Sequence, residues 1–147
     1  MFGSTTRSGA GAYGSIGLET GVNAASPHKL IVMLFDGVLA ALAKALHAMN
    51  TGDVPAKCKF ISQGMLIIDN GLRASLDKDA GGEIAANLDA LYVYMGERLL
   101  DANLHNHAAP ISEVQGLLRE LKESWEAIDP HAARSAGAHR SPAIAGA

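Results

Sequence analysis

Histidines are the residues of this chain best suited to chemistry, because imidazole binds metal ions and exchanges protons near neutral pH. Of the six, His105 and His107 form the closest pair, on either side of Asn106. A zinc site needs further Cys, His or carboxylate ligands, and a carboxylate-bridged bundle needs Glu-x-x-His motifs. No Glu-x-x-His occurs in the sequence, and His105 and His107 have neither a nearby Cys nor a patterned set of carboxylates. We therefore predict no metal site and no cofactor.

Two dipeptides are candidates for phosphate chemistry. A phosphotransfer bundle presents its histidine in mid-helix, whereas His28-Lys29 directly follows the helix start at Ser26-Pro27. Gly81-Gly82 lacks the Lys-Ser or Lys-Thr that follows the glycines of a P-loop. No nucleophile signature surrounds any Ser, His or Asp. We predict no catalytic residue, with a phosphotransfer or metal-binding bundle and a non-catalytic adaptor of unknown partner as the alternatives.

The composition is that of a soluble globular chain. Its 147 residues are 48% hydrophobic and 18% charged, and its net charge of −3 argues against nucleic acid as a partner. The single cysteine, Cys58, fits a reducing cytosol. The apolar run from Leu30 to Leu46 is interrupted by Asp36 and Lys44, so we predict a buried helix without membrane insertion, and we see no secretion signal.

Helix-breaking residues divide the chain into a Gly/Ser-rich leader (1–23), four helical blocks (24–129) and an Ala/Gly-rich tail (130–147). The blocks start at Ser26-Pro27, Val54-Pro55, after Gly81-Gly82 and at Pro110. Short connections make neighbouring helices antiparallel. We predict an all-α, antiparallel four-helix bundle with a disordered C-terminal tail.

Each of the last three blocks carries an apolar stripe at steps of three and four residues, which predicts its core face. In the second block the stripe is Cys58, Ile61, Met65, Ile68, Leu72 and Ser75. In the third it is Ile84, Leu88, Leu91, Met95, Arg98 and Ala102, and in the fourth Ile111, Val114, Leu118, Leu121, Trp125 and Ile128.

The chain has more apolar surface than a bundle core requires. The first block is apolar on nearly every side, and the third has a second apolar edge in Tyr92, Val93 and Leu100. The second block places Phe60, Gly64, Ile67 and Gly71 beside its stripe, where glycines let another backbone approach closely. Two interpretations stay open: grooves for partner helices, or a surface that the N-terminal leader covers.

Three stretches of the sequence resemble the FliS family of flagellar secretion chaperones. They are NAASPHKLIVMLFDG (23–37), the Gly52-Asp53 turn and GGEIAANLDALYVYMGERLLDAN (81–103), supported by Leu117, Leu121 and Trp125. The resemblance implies a non-enzymatic helical bundle in the cytosol, with the N-terminal segment capping one end. It also implies binding of the disordered C-terminal segment of flagellin and a contact with the export-gate protein FlhA.

The surplus apolar faces and the resemblance together indicate which residues contact flagellin. The leader contributes Tyr13 and Ile16, either as part of the site or as a cover over it. The candidate residues are Tyr13, Ile16, Leu30, Ile31, Leu34, Phe60, Ile67, Tyr92, Leu100 and Asn103.

Overall fold

A computed structural model describes residues 25–128, which form four α-helices and, within that range, no strand. The helices are α1 (Pro27–Asn50), α2 (Val54–Ile67), α3 (Lys78–His105) and α4 (Ala109–Ala127). A π-helical turn, Ile68–Arg73, continues α2. By internal contacts the chain divides into units 1–31 and 32–147, and the helix packing described below belongs to the second. The predicted all-α four-helix fold is confirmed, whereas the predicted leader and tail lie outside the described residues.

Local capping fixes the first two helices. The Ser26 hydroxyl accepts a hydrogen bond from the Lys29 amide at 3.1 Å, as an N-cap residue does. After α1, Gly52 adopts a φ of +75°, and the Asp53 amide donates back to the Ala48 carbonyl at 2.8 Å. This reversal is a Schellman ending, which favours glycine at its left-handed position. Asp53 then caps α2 by accepting from the Ala56 amide.

The third helix starts earlier than the sequence predicts. Asp77 caps it by accepting from the Ala80 amide at 3.0 Å, so helical structure begins at Lys78. Gly82, with φ +54° and ψ −130°, interrupts the helix four residues later, and the long regular part follows it. Gly81-Gly82 therefore marks a kink inside α3, because the Asp77 cap nucleates a short turn ahead of the glycines.

Helices α1 and α2 run antiparallel and approach closely where α2 lacks side chains. A Cβ on Gly64 would lie 3.2 Å from Leu42 Cδ2, and one on Gly71 would lie 3.0 Å from Leu34 Cδ2. The contacts move back along α1 as they move forward along α2, which is the antiparallel order. These glycines thus let α1 pack on α2 and its π-helical turn.

The core confirms part of each predicted stripe and corrects the rest. Ile61, Leu72, Met95 and Leu118 are buried as predicted. Ile84 was expected in the core but is 72% exposed, because it lies beside the Gly82 kink at the start of the regular part of α3. Further corrections are that Ser75 and Ile128 are exposed and that Leu99, expected beside the stripe, is fully buried. The other stripe members that are only half-buried are Cys58, Met65, Leu88, Leu91, Arg98, Leu121 and Trp125.

Asp36 is the one acidic residue of α1, and the sequence gives no reason for it. Its Oδ1 lies 2.7 Å from Lys122 Nζ on α4, and this hydrogen bond raises the pKa of Lys122. The carboxylate is 53% exposed, so the pair keeps its contact with water. Asp36 therefore links the surfaces of the first and last helices without a buried charge.

Candidate functional site

An extended row of exposed, mostly apolar residues lies along α3. The residues that form it recur at alternating steps of four and three and are all exposed: Ala86, Ala90, Val93, Glu97, Leu100 and Leu104. We call this set the α3 stripe. Val93, Leu100 and Leu104 are 38%, 47% and 69% exposed, respectively. Five of the six residues are apolar, a pattern suited to an amphipathic helix docking lengthwise.

The buried face of α3 consists of other residues than the stripe. Ala85, Tyr92, Met95, Leu99 and Ala102 are the buried residues of this helix. Burial raises the pKa of the Tyr92 phenol to about 12, because the charged form would lose its water. Since neighbouring positions differ by about 100° around a helix, Val93 and Leu100 point outward while Tyr92 and Leu99 fill the core.

Charged side chains hold α3 against its neighbours. Arg98 Nε donates to Glu113 Oε1 of α4 at 2.7 Å, and the Tyr94 hydroxyl donates to Glu113 Oε2. These two hydrogen bonds, that from Tyr94 first, lower the pKa of Glu113. On the other side, Arg73 donates to Asp89 at 2.9 Å and lowers the pKa of that carboxyl. The stripe therefore sits on a helix anchored at several points.

A buried lysine joins α2 to the end of α3. Lys57 is 4% exposed, and its Nζ donates to the Asn103 carbonyl at 3.0 Å and to Asn106 Oδ1 at 3.2 Å. Asn106 ends α3 in the left-handed conformation, where a positive charge complements the helix dipole. Asn103 Oδ1 is buried with no hydrogen-bond partner in the described part of the chain. Lys57 therefore positions the turn that carries Leu104.

A second surface feature lies between the end of α1 and the start of α2. It is a cleft of about 420 Å³, lined by Ala43, Lys44, His47, Ala48, Thr51, Asp53, Ala56 and Phe60. We call it the α1–α2 cleft. Phe60 forms its apolar wall and is half-buried. Its position differs from the α3 stripe, since no residue of α3 lines it.

The structure separates the predicted contact residues into two groups. Leu100 is exposed on the α3 stripe, and Phe60, Asn103, Leu34, Leu30 and Ile31 are half-buried. Ile67 and Tyr92, at 5% and 4% exposure, lie in the core, so their placement on an outer face is wrong. Ile67 packs toward Gly37 of α1, where a Cβ would meet Ile67 Cδ1 at 3.4 Å. Tyr13 and Ile16 lie outside the described residues, and flagellin binding by any of these residues stays a prediction.

Sequence reasoning missed most of the α3 stripe. Leu104, its most exposed member, was not among the candidates, and neither were Ala86 and Ala90. The signal was present, because these residues continue the three-and-four spacing of Val93 and Leu100. The charged residue Glu97 interrupts the apolar spacing, and the small side chain of alanine gives only a weak apolar signal.

The histidines His105 and His107, considered above as a metal-ligand pair, lie at the end of α3 and just after it. Among residues 25–128, no group of three His, Cys, Asp or Glu side chains converges to hold a metal ion. His105 Nδ1 lies 2.8 Å from Asp101 Oδ1, and its ring is 5.7 Å from that of His107.

Within the described range, α1 alone has the length and composition of a membrane span, a test that core helices also meet. Its packing through Leu42 onto Gly64 is that of a bundle helix.

Comparison with known proteins gives a consistent result. The family model described as flagellar protein FliS matches residues 9–132. The chain is 52% identical over 127 residues to the flagellar secretion chaperone FliS of Salmonella typhimurium. This alignment covers 86% of the chain and 94% of the relative. It is 44% identical over 118 residues to the flagellar secretion chaperone FliS of Escherichia coli, covering 80% and 87% of the two chains. The flagellar secretion chaperone FliSB of Pseudomonas aeruginosa is 43% identical over 116 residues, covering 79% and 91%.

Proposed function

The chain belongs to the FliS family of flagellar secretion chaperones, and we propose that it is an export chaperone for flagellin. In this role it binds the disordered C-terminal segment of unpolymerised flagellin in the cytosol and so prevents premature filament assembly. It then delivers the subunit to the flagellar type III export apparatus. A non-catalytic binding role agrees with relatives that are named chaperones.

The α3 stripe is the observation that supports a helical client. From Ala86 to Leu104 it extends roughly 27 Å at the standard helical rise, enough for about five turns of a partner helix. An amphipathic helix docks on such a surface through apolar side chains at positions i, i+3, i+4 and i+7. The exposed apolar side chains of α3 offer this spacing on one anchored helix.

The energetics of the client require several anchors. Ordering a disordered segment costs about 1 to 2 kcal/mol of backbone entropy per residue. A fully buried Leu or Val returns about 1.5 to 3 kcal/mol, so a single contact cannot order a long segment. Together with intrahelical hydrogen bonds formed by the client, a stripe along the length of α3 meets this requirement better than a compact pocket.

Delivery requires a second contact, which we propose to be with the export-gate protein FlhA on the basis of family membership. The client complex rather than the free chaperone is the species that must be recognised. We therefore expect FlhA to bind the chaperone more tightly when flagellin is present.

Titration with flagellin tests the proposal directly. We would measure binding of full-length flagellin monomer and, as a matched control, of flagellin lacking its C-terminal segment. We expect binding only of the complete monomer, with a gain of helical circular dichroism when the isolated segment is added. Equal binding of both flagellins would overturn the assignment of the C-terminal segment. Absence of binding to either, with another protein co-purifying from motile cells, would support an adaptor with a different client.

A further inference from the structure

The α1–α2 cleft combines an aromatic wall with small residues. Its volume of about 420 Å³ is in the range of sites that enclose a ligand or an inserted side chain. Phe60 supplies one apolar side, and Ala43, Ala48 and Ala56 leave room beside it for an approaching backbone. The cleft is therefore shaped to receive one large apolar side chain from a peptide.

Two lysines lie beside the aromatic wall of the cleft, Lys44 within its lining and Lys59 next to Phe60. Lys44 Nζ and Lys59 Nζ lie 5.5 and 5.4 Å from the centroid of the Phe60 ring. Both lysines are exposed, and neither forms an ion pair within residues 25–128. The lining contains one acidic residue, Asp53, which keeps its negative charge while it caps α2, so two lysines stand against one carboxylate. This local excess of positive charge lies on a chain whose net charge is −3.

The charge of the possible occupants distinguishes them. Residues 1–24 contain one Arg and one Glu, and residues 129–147 contain two Arg against one Asp, so neither end of the chain is acidic. A second copy could offer residues 77–83 or 120–129, which both contain more Asp and Glu than Lys and Arg, but such a contact between different surfaces would form a ring or an open assembly rather than a twofold dimer. An acidic segment of another protein avoids both difficulties.

We propose that the α1–α2 cleft docks an acidic segment of a partner protein, which inserts an apolar side chain against Phe60 while its carboxylates pair with Lys44 and Lys59. The α3 stripe contributes no residue to the cleft, so the inference does not depend on a client helix docking on the stripe, although Phe60 is also among the predicted flagellin contacts. The lysines speed association and select acidic sequences, and the apolar anchor supplies the burial.

A set of short synthetic peptides tests the proposal on the full-length protein. The probe carries glutamates on both sides of a single phenylalanine and a fluorescent label, and anisotropy reports its binding. One matched peptide replaces every glutamate by glutamine, and another replaces the phenylalanine by alanine. We expect the probe to bind at least tenfold more tightly than either, with affinity that falls as salt is added. No binding of the probe, or equal binding of the glutamine peptide, would overturn the proposal.

Charge reversal locates the binding. Lys44→Glu/Lys59→Glu should weaken the probe at least tenfold, whereas Lys29→Glu/Arg119→Glu changes the net charge equally at exposed positions outside the cleft lining. Circular dichroism of both variants checks the fold. Equal loss in the two variants would mean that net charge alone attracts the peptide. Self-association of the parent protein that only the cleft variant abolishes would assign the cleft to a second copy, and either result refutes the inference.

Discussion

Truncation of the two most exposed leucines of the α3 stripe gives the sharpest test of client binding. Leu100 and Leu104 are 47% and 69% exposed, so a partner helix can bury only those fractions. Full burial of a leucine is worth about 1.5 to 3 kcal/mol, which gives roughly 1 kcal/mol for Leu100 and about 1.5 kcal/mol for Leu104. Alanine keeps Cβ, so we expect Leu100→Ala/Leu104→Ala to lose about 2 kcal/mol, or roughly 30-fold in Kd.

The fold should lose some stability but stay intact. Leu100 buries about half and Leu104 about a third of its surface within the fold, so we expect the free energy of unfolding to fall by roughly 1 kcal/mol, with alanine keeping the helix propensity high. Isothermal titration with the flagellin C-terminal segment measures the affinity, and urea unfolding measures the stability. Ile84→Ala/Ile128→Ala is the matched control, because these residues are 72% and 60% exposed but lie off the stripe.

Two outcomes would contradict the assignment of the stripe. A loss of less than about threefold in the stripe variant would mean that the client buries neither leucine. Equal losses in the stripe and control variants would mean that general surface hydrophobicity, rather than one helix face, determines affinity. In both cases the client would have to bind elsewhere on the bundle.

The remaining predictions concern stability. Gly71→Ala should destabilise the fold, because the added Cβ would lie 3.0 Å from Leu34 Cδ2. Gly96→Ala has no atom within 4 Å of the added Cβ and should stabilise the fold by up to about 1 kcal/mol. Equal urea midpoints for the two variants would contradict the packing of α1 on the π-helical turn. The Ile67→Asp variant should lose its helical circular dichroism, because the substitution places a carboxylate in the core. A variant that stays folded and loses only flagellin binding would contradict the core position of Ile67. The pKa of Glu113 is lowered in the folded state, so its ionised carboxylate stabilises the fold. This stabilisation is fully present above pH 4.5, the usual pKa, and is lost as the pH falls through the lowered pKa. Between neutral pH and about pH 3, Glu113→Gln should therefore lose less stability than the parent in urea titrations, and equal losses would argue against the hydrogen bonds.

The helix starts were largely predictable because caps are local. Ser26 and Asp53 accept hydrogen bonds from amides three residues ahead, and Pro110 stands in the first turn of α4. These interactions involve only neighbouring residues, so their pattern can be read without knowledge of the fold. The start of α3 was missed because Asp77 caps a helical turn ahead of the glycines. The sequence does not indicate whether the helix begins after Asp77 or after Gly81-Gly82.

Periodicity, helix breakers and motif strings are properties of the chain, so they predicted the number of helices, their antiparallel order and the family. Which of two adjacent apolar residues enters the core depends instead on how the helices pack. Tyr92 and Leu99 are buried, while Val93 and Leu100, one position along, face outward. Adjacent residues project about 100° apart, and both members of each pair are apolar. Hydrophobicity therefore cannot rank them, and the choice falls to the neighbouring helices against which α3 packs.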